Sequence, residues 1–302
     1  MADASSKTKS GDRSRLWDWL GAWQPVTGGG VAAFGRSSFA RLFFFQLLTA
    51  SASALVLLWC LQFAWVPVVD TALTRLPAQA RVHHGRLEWP DAEAITLADS
   101  PQLGIGVTPL GSGEPNRTAD LQLELDSGGV RLWGILGFHE WPYPPDADWA
   151  LGRLEATALW AAWLWPLRLL TGLAAGATLL VAWWCLEAIL SPGLWILGLI
   201  FRRDVPFGAA WRIAGASWLT ATLVLDMTLL GYARRILTLP GVAVGLTVAV
   251  LVGLIWPIWG VLVSPAGRST AGVADTKNPF SVEKKRESKP KPAEKPEREA
   301  EK

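Results

Sequence analysis

Residues 42–66, LFFFQLLTASASALVLLWCLQFAWV, contain no charged side chain. As a helix rising 1.5 Å per residue, such a run of about 25 residues crosses a hydrocarbon core of about 30 Å. Together with a hydrophobic fraction of 51% over 302 residues, it excludes a wholly soluble fold and predicts an integral membrane protein. Lys7, Lys9, Arg13, Arg15, Arg36 and Arg41 precede the run. By the positive-inside rule they hold the N-terminus in the cytoplasm and send the next segment outside.

Charge then sorts the rest of the chain. Residues 70–155 carry 13 acids against 6 Arg and no Lys, whereas residues 266–302 carry 10 Lys or Arg against 7 acids. The basic ends read as cytoplasmic retention signals, not phosphate contacts, so no nucleic-acid partner is expected. Arg36, Arg41 and the A-x-A spacing of Ala50 and Ala52 imitate a cleavable signal peptide. The apolar run continues too far past Ala52 for that reading, and an uncleaved anchor is expected.

Between residues 67 and 155 the pattern changes to short alternating segments, which predict a β-rich domain outside the membrane. Residues 79–83 and 86–89 flank His84-Gly85, a tight-turn signal. Residues 103–107 and 121–125 read as further strands. Leu121, Leu123 and Leu125 alternate with polar residues, Ser127 to Gly129 turn the chain, and Val130, Leu132 and Gly134 alternate in return, which places the leucines on the core face. Residues 69–76 suggest a short helix leading out of the membrane.

From residue 156 to 201 only Arg168 and Glu187 are charged. Pro166 and Ser191-Pro192-Gly193 are expected to cut this stretch into three, with a crossing only at residues 169–190. Two more crossings follow near residues 213–232 and 242–263. The expected fold is therefore an α-helical integral membrane protein with four transmembrane helices and a small β-rich extracytoplasmic domain between the first and second. Residues 1–41 form a cytoplasmic arm with an interfacial Trp-rich helix at 15–23, residues 28–30 a flexible glycine joint, residues 156–265 the membrane unit, and residues 266–302 a disordered cytoplasmic tail. Arg234 and Arg235 face outward in this arrangement, against the charge rule.

Candidate functional residues are few. Asp226 lies inside the third span, where an ionised acid costs about 2.5–3.5 kcal/mol on insertion scales, so it needs a partner. Arg168 is one candidate, with Glu187 and Arg212 as a second pair. Gly172 and Gly176 form a GxxxG in the second span, and Gly241, Gly245, Ala249 and Gly253 recur every four residues in the fourth, both predicting close helix packing. His83, His84 and His139 meet no metal-ligand spacing, and Gly104-x-Gly106 lacks the rest of a nucleotide fingerprint. No nucleophile motif is present, so no cofactor, metal or enzymatic activity is expected. Asn116-Arg117-Thr118 matches a glycosylation acceptor, and Asn278-Pro279-Phe280 a short docking tripeptide. Cys60 and Cys185 fall near opposite membrane faces and are not expected to pair.

One anchor span, a β-rich insert with the His84-Gly85-Arg86-Leu87 turn, and a three-span unit entered through Pro206-Phe207-Gly208-Ala209-Ala210-Trp211 together resemble an uncharacterised family of bacterial multi-pass membrane proteins. That family is a domain of unknown function, sometimes linked to maltodextrin utilisation. The membrane part is also similar to Yip-type proteins. The resemblance implies a bacterial membrane protein and carries no site residues, and the charge asymmetry around residues 42–66 supports the inner membrane as the expected location. The expected role is a non-enzymatic scaffold, sensor or interaction protein contacting the bilayer and an envelope or membrane protein. The alternative is a transporter or transporter accessory using Asp226.

Overall fold

A computed structural model describes residues 25–91, 93–109, 119–135 and 137–266. The Trp-rich arm, the Asn116 triplet, the tail and the Asn278 tripeptide lie outside those residues. Four helices are long and apolar enough to cross a membrane, and two β-sheets occupy the 81–150 region.

The glycines expected to form a joint instead open a helix, α1, Gly28–Gly35, capped by the Thr27 hydroxyl on Gly30 N–H. Its GGG start has poor helix propensity, but Val31 and Phe34 are fully buried among the long helices. Tertiary packing overrides the local preference. The chain leading into α1 is pinned as well: the Thr220 hydroxyl donates to Pro25 O (2.7 Å) and the Trp256 indole to Val26 O (2.9 Å).

Helix α2, Phe39–Cys60, is capped by the Ser38 hydroxyl on Arg41 N–H. It runs through a π-helical turn, Leu61–Trp65, into α3, Val66–Thr74. The wider turn immediately precedes Pro67, whose missing N–H and ring disturb regular α pairing. Val68 and Ala72 of α3 then enter the core of the β region beside Val82, Leu87, Leu97, Leu103, Ile105 and Val107. The first long helix and the β domain therefore share a hydrophobic core.

Strands β1, Arg81–His83, and β2, Arg86–Glu88, pair across His84-Gly85, and β8, Asp148–Ala150, completes a three-stranded sheet in the order β2-β1-β8. His84 and Gly85 have φ of 49° and 70°, the left-handed pair of a type I′ turn. Added bulk at Gly85 would also strike Pro144 O at 2.9 Å. The second sheet has the order β3-β4-β5-β6-β7: Ile95–Asp99, Leu103–Thr108, Leu121–Asp126, Gly129–Gly134 and Gly137–Pro142. Strands β4 and β5 are parallel, and the other neighbours are antiparallel.

Burial along β5 reverses the expected alternation. Gln122, Glu124 and Asp126 are buried, whereas Leu121, Leu123 and Leu125 are half-buried against the edge of the core. The polar face is tolerated because its two acids are paired. The Trp133 indole donates to Glu124 (2.9 Å), and the Arg131 guanidinium lies 3.0 Å from Asp126. Gln122 lies over the bare backbone of Gly104, where a Cβ would not fit.

Residues 156–201 are not cut into three. Helix α4, Arg153–Ile200, is one helix of 48 residues with Pro166 and Pro192 inside it, about 72 Å long. Each proline costs one ladder bond, but an apolar stretch without water has no better place for its other backbone groups than a helix. The Ser191 hydroxyl, next to Pro192, turns back to Glu187 O. Helices α5, Phe207–Ala233, and α6, Leu239–Val263, complete the bundle.

Helix α5 is the least apolar of the four long helices and the most enclosed, and α4 is the least enclosed. Its small residues Ala209, Ala210, Ala214, Gly215, Ala216 and Ser217 let neighbours approach on several sides. Most of α4 instead presents leucines and tryptophans outward.

Candidate functional site

Three buried residues of α2, Gln46, Ser53 and Cys60, recur every seven positions and so share one face. Each meets a polar group on another helix. Gln46 Nε2 donates to Glu187 Oε1 of α4, and the Trp184 indole donates to Gln46 Oε1 at 3.4 Å. The Ser53 hydroxyl donates to Asp226 Oδ2 of α5 at 2.8 Å, and Cys60 Sγ points to Leu229 O at 3.6 Å. The two acid-binding steps are seven residues apart, about 10 Å along the axis.

This ladder replaces the pairing expected from sequence. Neither Arg168 nor Arg212 forms an ion pair with Asp226 or Glu187. Arg168 donates to Gln62 Oε1 and lies over the Trp165 ring. Arg212 donates twice to Gly35 O, at 2.6 and 3.2 Å, and sits 4.8 Å above the Phe39 ring. Its cation caps the carbonyl end of α1, where the helix dipole is negative. Cation pairing was the wrong expectation because each arginine is already satisfied within its own neighbourhood, while the acids find neutral donors on α2.

Glu187 and Asp226 are 1% and 5% exposed. Glu187 Oε2 and Asp226 Oδ1 are buried without a well-formed hydrogen bond, although the Trp211 side chain also reaches the Glu187 carboxyl. Glu187 packs directly on α5 at Gly215, where a Cβ would lie 2.6 Å from Oε1. Beside it, a largely apolar cleft of about 430 Å³ is lined by Phe39, Phe43, Gln46, Trp184, Glu187 and Trp211.

The small-residue positions are packing contacts. A Cβ at Gly172 would meet Leu58, Gly176 faces Ala50 O, Gly245 faces Thr228, and Gly253 faces the Trp218 ring at 2.4 Å. Gly241 contacts Leu237 just before its own helix, so it does not extend that interhelical face. Gly215 and Gly260 do similar work without belonging to a repeat: Gly215 meets Glu187, and Gly260 meets Val31 and Ile213.

The β domain is fixed to the bundle by polar contacts at the end of α5. The Tyr232 hydroxyl donates to Asp120 Oδ2 at 2.7 Å, and Gln102 Nε2 to Tyr232 O at 3.3 Å. Arg75 donates to Leu97 O at 2.9 Å, and the Trp160 indole of α4 to Asp70 Oδ1 at 2.9 Å. Arg234, which follows α5, lies 5.0 Å over the Trp59 ring.

Two surfaces of this domain remain open. A groove of about 530 Å³ runs along the small sheet beside Arg81, Glu88 and Trp89, whose buried indole N–H has no partner among the described residues. The other is β7, the edge of the large sheet, exposed along all six residues and carrying Phe138 and Trp141. His83 lies 3.5 Å from Asp148 and stacks near His84, and among the described residues no cluster of His, Cys, Asp or Glu gathers to hold a metal. The two cysteines are free.

Comparison with family models, curated proteins and solved structures finds no match.

Proposed function

We propose that the chain is a non-enzymatic scaffold or sensor of a bacterial cytoplasmic membrane, with four spans, both termini cytoplasmic and the β domain outside. The charge asymmetry around residues 42–66 supports that orientation. The observation that carries the interaction role is β7, an edge strand exposed at all six residues and paired, among the described residues, on one side only, in a domain fastened to its helices. Open edges with aromatic side chains accept an extended segment of another protein, with main-chain bonds giving affinity and alternate side chains giving selectivity.

A photo-crosslinker at Trp141 in intact cells tests this reading. It should trap one discrete protein, and a charged substitution at His139, which packs on Trp141, should abolish that product. Trapping of no protein would overturn the interaction role.

The second reading, transport, is favoured by two buried carboxyls at different depths, each with one oxygen lacking a well-formed bond. Asp226→Asn separates the two. A scaffold keeps the Trp141 crosslink with this substitution, whereas a transporter loses flux while remaining folded.

A further inference from the structure

The turn between β6 and β7 presents an apolar tip that neither sheet uses. Gly134 pairs with Gly137 where β6 passes into β7, and Ile135 and Phe138 are 74% and 60% exposed. Phe138 stacks on Trp133 with ring centroids 4.7 Å apart, which stiffens the tip. No charged residue lies between Arg131 and His139.

Strand register fixes where this tip points. Strand β5 starts at Leu121, beside Asp120, which accepts from the Tyr232 hydroxyl at the end of α5. Strand β6 runs antiparallel to β5 and ends at Gly134, whose backbone faces Leu121. Parallel β4 starts next to Gln102, which also bonds Tyr232. The β6–β7 turn therefore emerges at the bundle end of the sheet, one to two strand spacings, about 5–10 Å, to the side of the Tyr232 contact.

At and beyond that level the helices carry exposed apolar residues beside the Arg168–Gln62 pair. Arg234, two residues after Tyr232, stacks on Trp59, about 30 Å from Phe39 along α2, one hydrocarbon thickness. Exposed Phe63 and Trp65 continue past it on the π-helical turn that follows α2, exposed Trp165 and Trp163 do so on α4, and Ile236 is exposed in the α5–α6 loop.

We infer that the β6–β7 turn is a second membrane contact, with Ile135 and Phe138 inserted into the outer leaflet of the same bilayer that the helices cross. This rests on the membrane reading proposed above. Its occupant is lipid, because the tip is level with a lipid-facing aromatic belt and has no polar group of its own to address to a protein. Aromatic side chains suit that depth. Arg234 and Arg235 then lie at phosphate level, which accounts for two cations on the outer side.

Spin labels on the full chain in phosphatidylethanolamine and phosphatidylglycerol vesicles test the inference. Labels are placed at Ile135→Cys, with Phe138→Cys as a second tip variant, in a chain carrying Cys185→Ser and retaining buried Cys60. Leu173→Cys, on an exposed stretch of α4, reports the span. Gly128→Cys, with open space around it at the far end of β5 and β6, reports water. The tip label should be relaxed by dissolved oxygen more than by a water-soluble nickel chelate, as at Leu173, with the order reversed at Gly128. A tip label behaving like Gly128, or shielded from both reagents, overturns the inference. A chelate-accessible Leu173 would instead overturn the membrane reading itself.

Discussion

The helical bundle and the β domain both bury acids, and they satisfy them differently. In the sheet, buried Asp126 and exposed Glu140 share the Arg131 guanidinium, at 3.0 and 3.3 Å, while buried Glu124 accepts from the Trp133 indole. In the bundle, Glu187 and Asp226 are held by Gln46 and Ser53, and two nearby arginines serve carbonyl or amide oxygens instead. A cation beside water keeps part of its hydration while it pairs, and half-exposed Arg131 does this. Moving a guanidinium fully into a dry bundle adds a desolvation cost that pairing often fails to offset. An amide or hydroxyl donor is cheaper there. The bundle also puts its least apolar helix in the centre, where small residues bring the neighbouring helices close.

The strongest way to break this contrast is to fill the close helix approach. Gly253→Leu places side-chain atoms in the Trp218 ring, and overpacking of this kind costs about 1–3 kcal/mol. Folded protein surviving detergent heating should fall sharply. Gly193→Leu, where the Cβ meets nothing within 4 Å, should leave survival unchanged. Equal losses at both sites would show that close packing does not organise the bundle.

Neutral pairing is tested next. Gln46→Leu removes the main donor to a buried carboxyl, which costs about 1–3 kcal/mol. Adding Glu187→Leu should recover much of that loss, since the unsatisfied group is then gone. Additive losses in a denaturant titration would mean that the pair is not a unit. At the joint between the regions, Tyr232→Phe deletes the bond to Asp120 and should loosen the β domain by about 0.5–1.5 kcal/mol. Hydrogen exchange should rise at β5 and stay unchanged in α5.

What the sequence disclosed follows from the range of the signals. The long apolar runs and the His84-Gly85 turn are local, and both are visible in composition or in a dipeptide. Pro166 and Pro192 misled because a proline breaks a helix only when its backbone has water or another partner to turn to. Residues 28–30 misled because nothing nearby reveals that Val31 and Phe34 find a socket between distant helices. On β5 the alternation was correct and the inference from it was not, since Trp133 and Arg131 on the next strand make the polar face the better covered one. In the bundle, Glu187 and Asp226 stood out as charges in apolar runs. Their partners were legible only as the seven-residue spacing of Gln46, Ser53 and Cys60, a pattern with no meaning until α2 is placed against α4 and α5.

The smallest effect is spectroscopic and concerns the β-domain interior. Burial first, and the Asp126 carboxylate second, push the Tyr143 phenol up to about 12 from an ordinary value near 10. The chain has two tyrosines, so the Tyr232→Phe variant leaves Tyr143 as the sole phenol to titrate. Because its folded pKa is raised, the associated stability is fully present below about pH 10 and is lost as the pH climbs towards 12. Phenolate difference absorbance of the folded variant should have its midpoint near 12, and near 10 in denaturant. Adding Tyr143→Phe should remove that part of the alkaline loss of β structure while leaving the helical signal unchanged. A midpoint near 10 in the folded protein would show that Tyr143 is open to water.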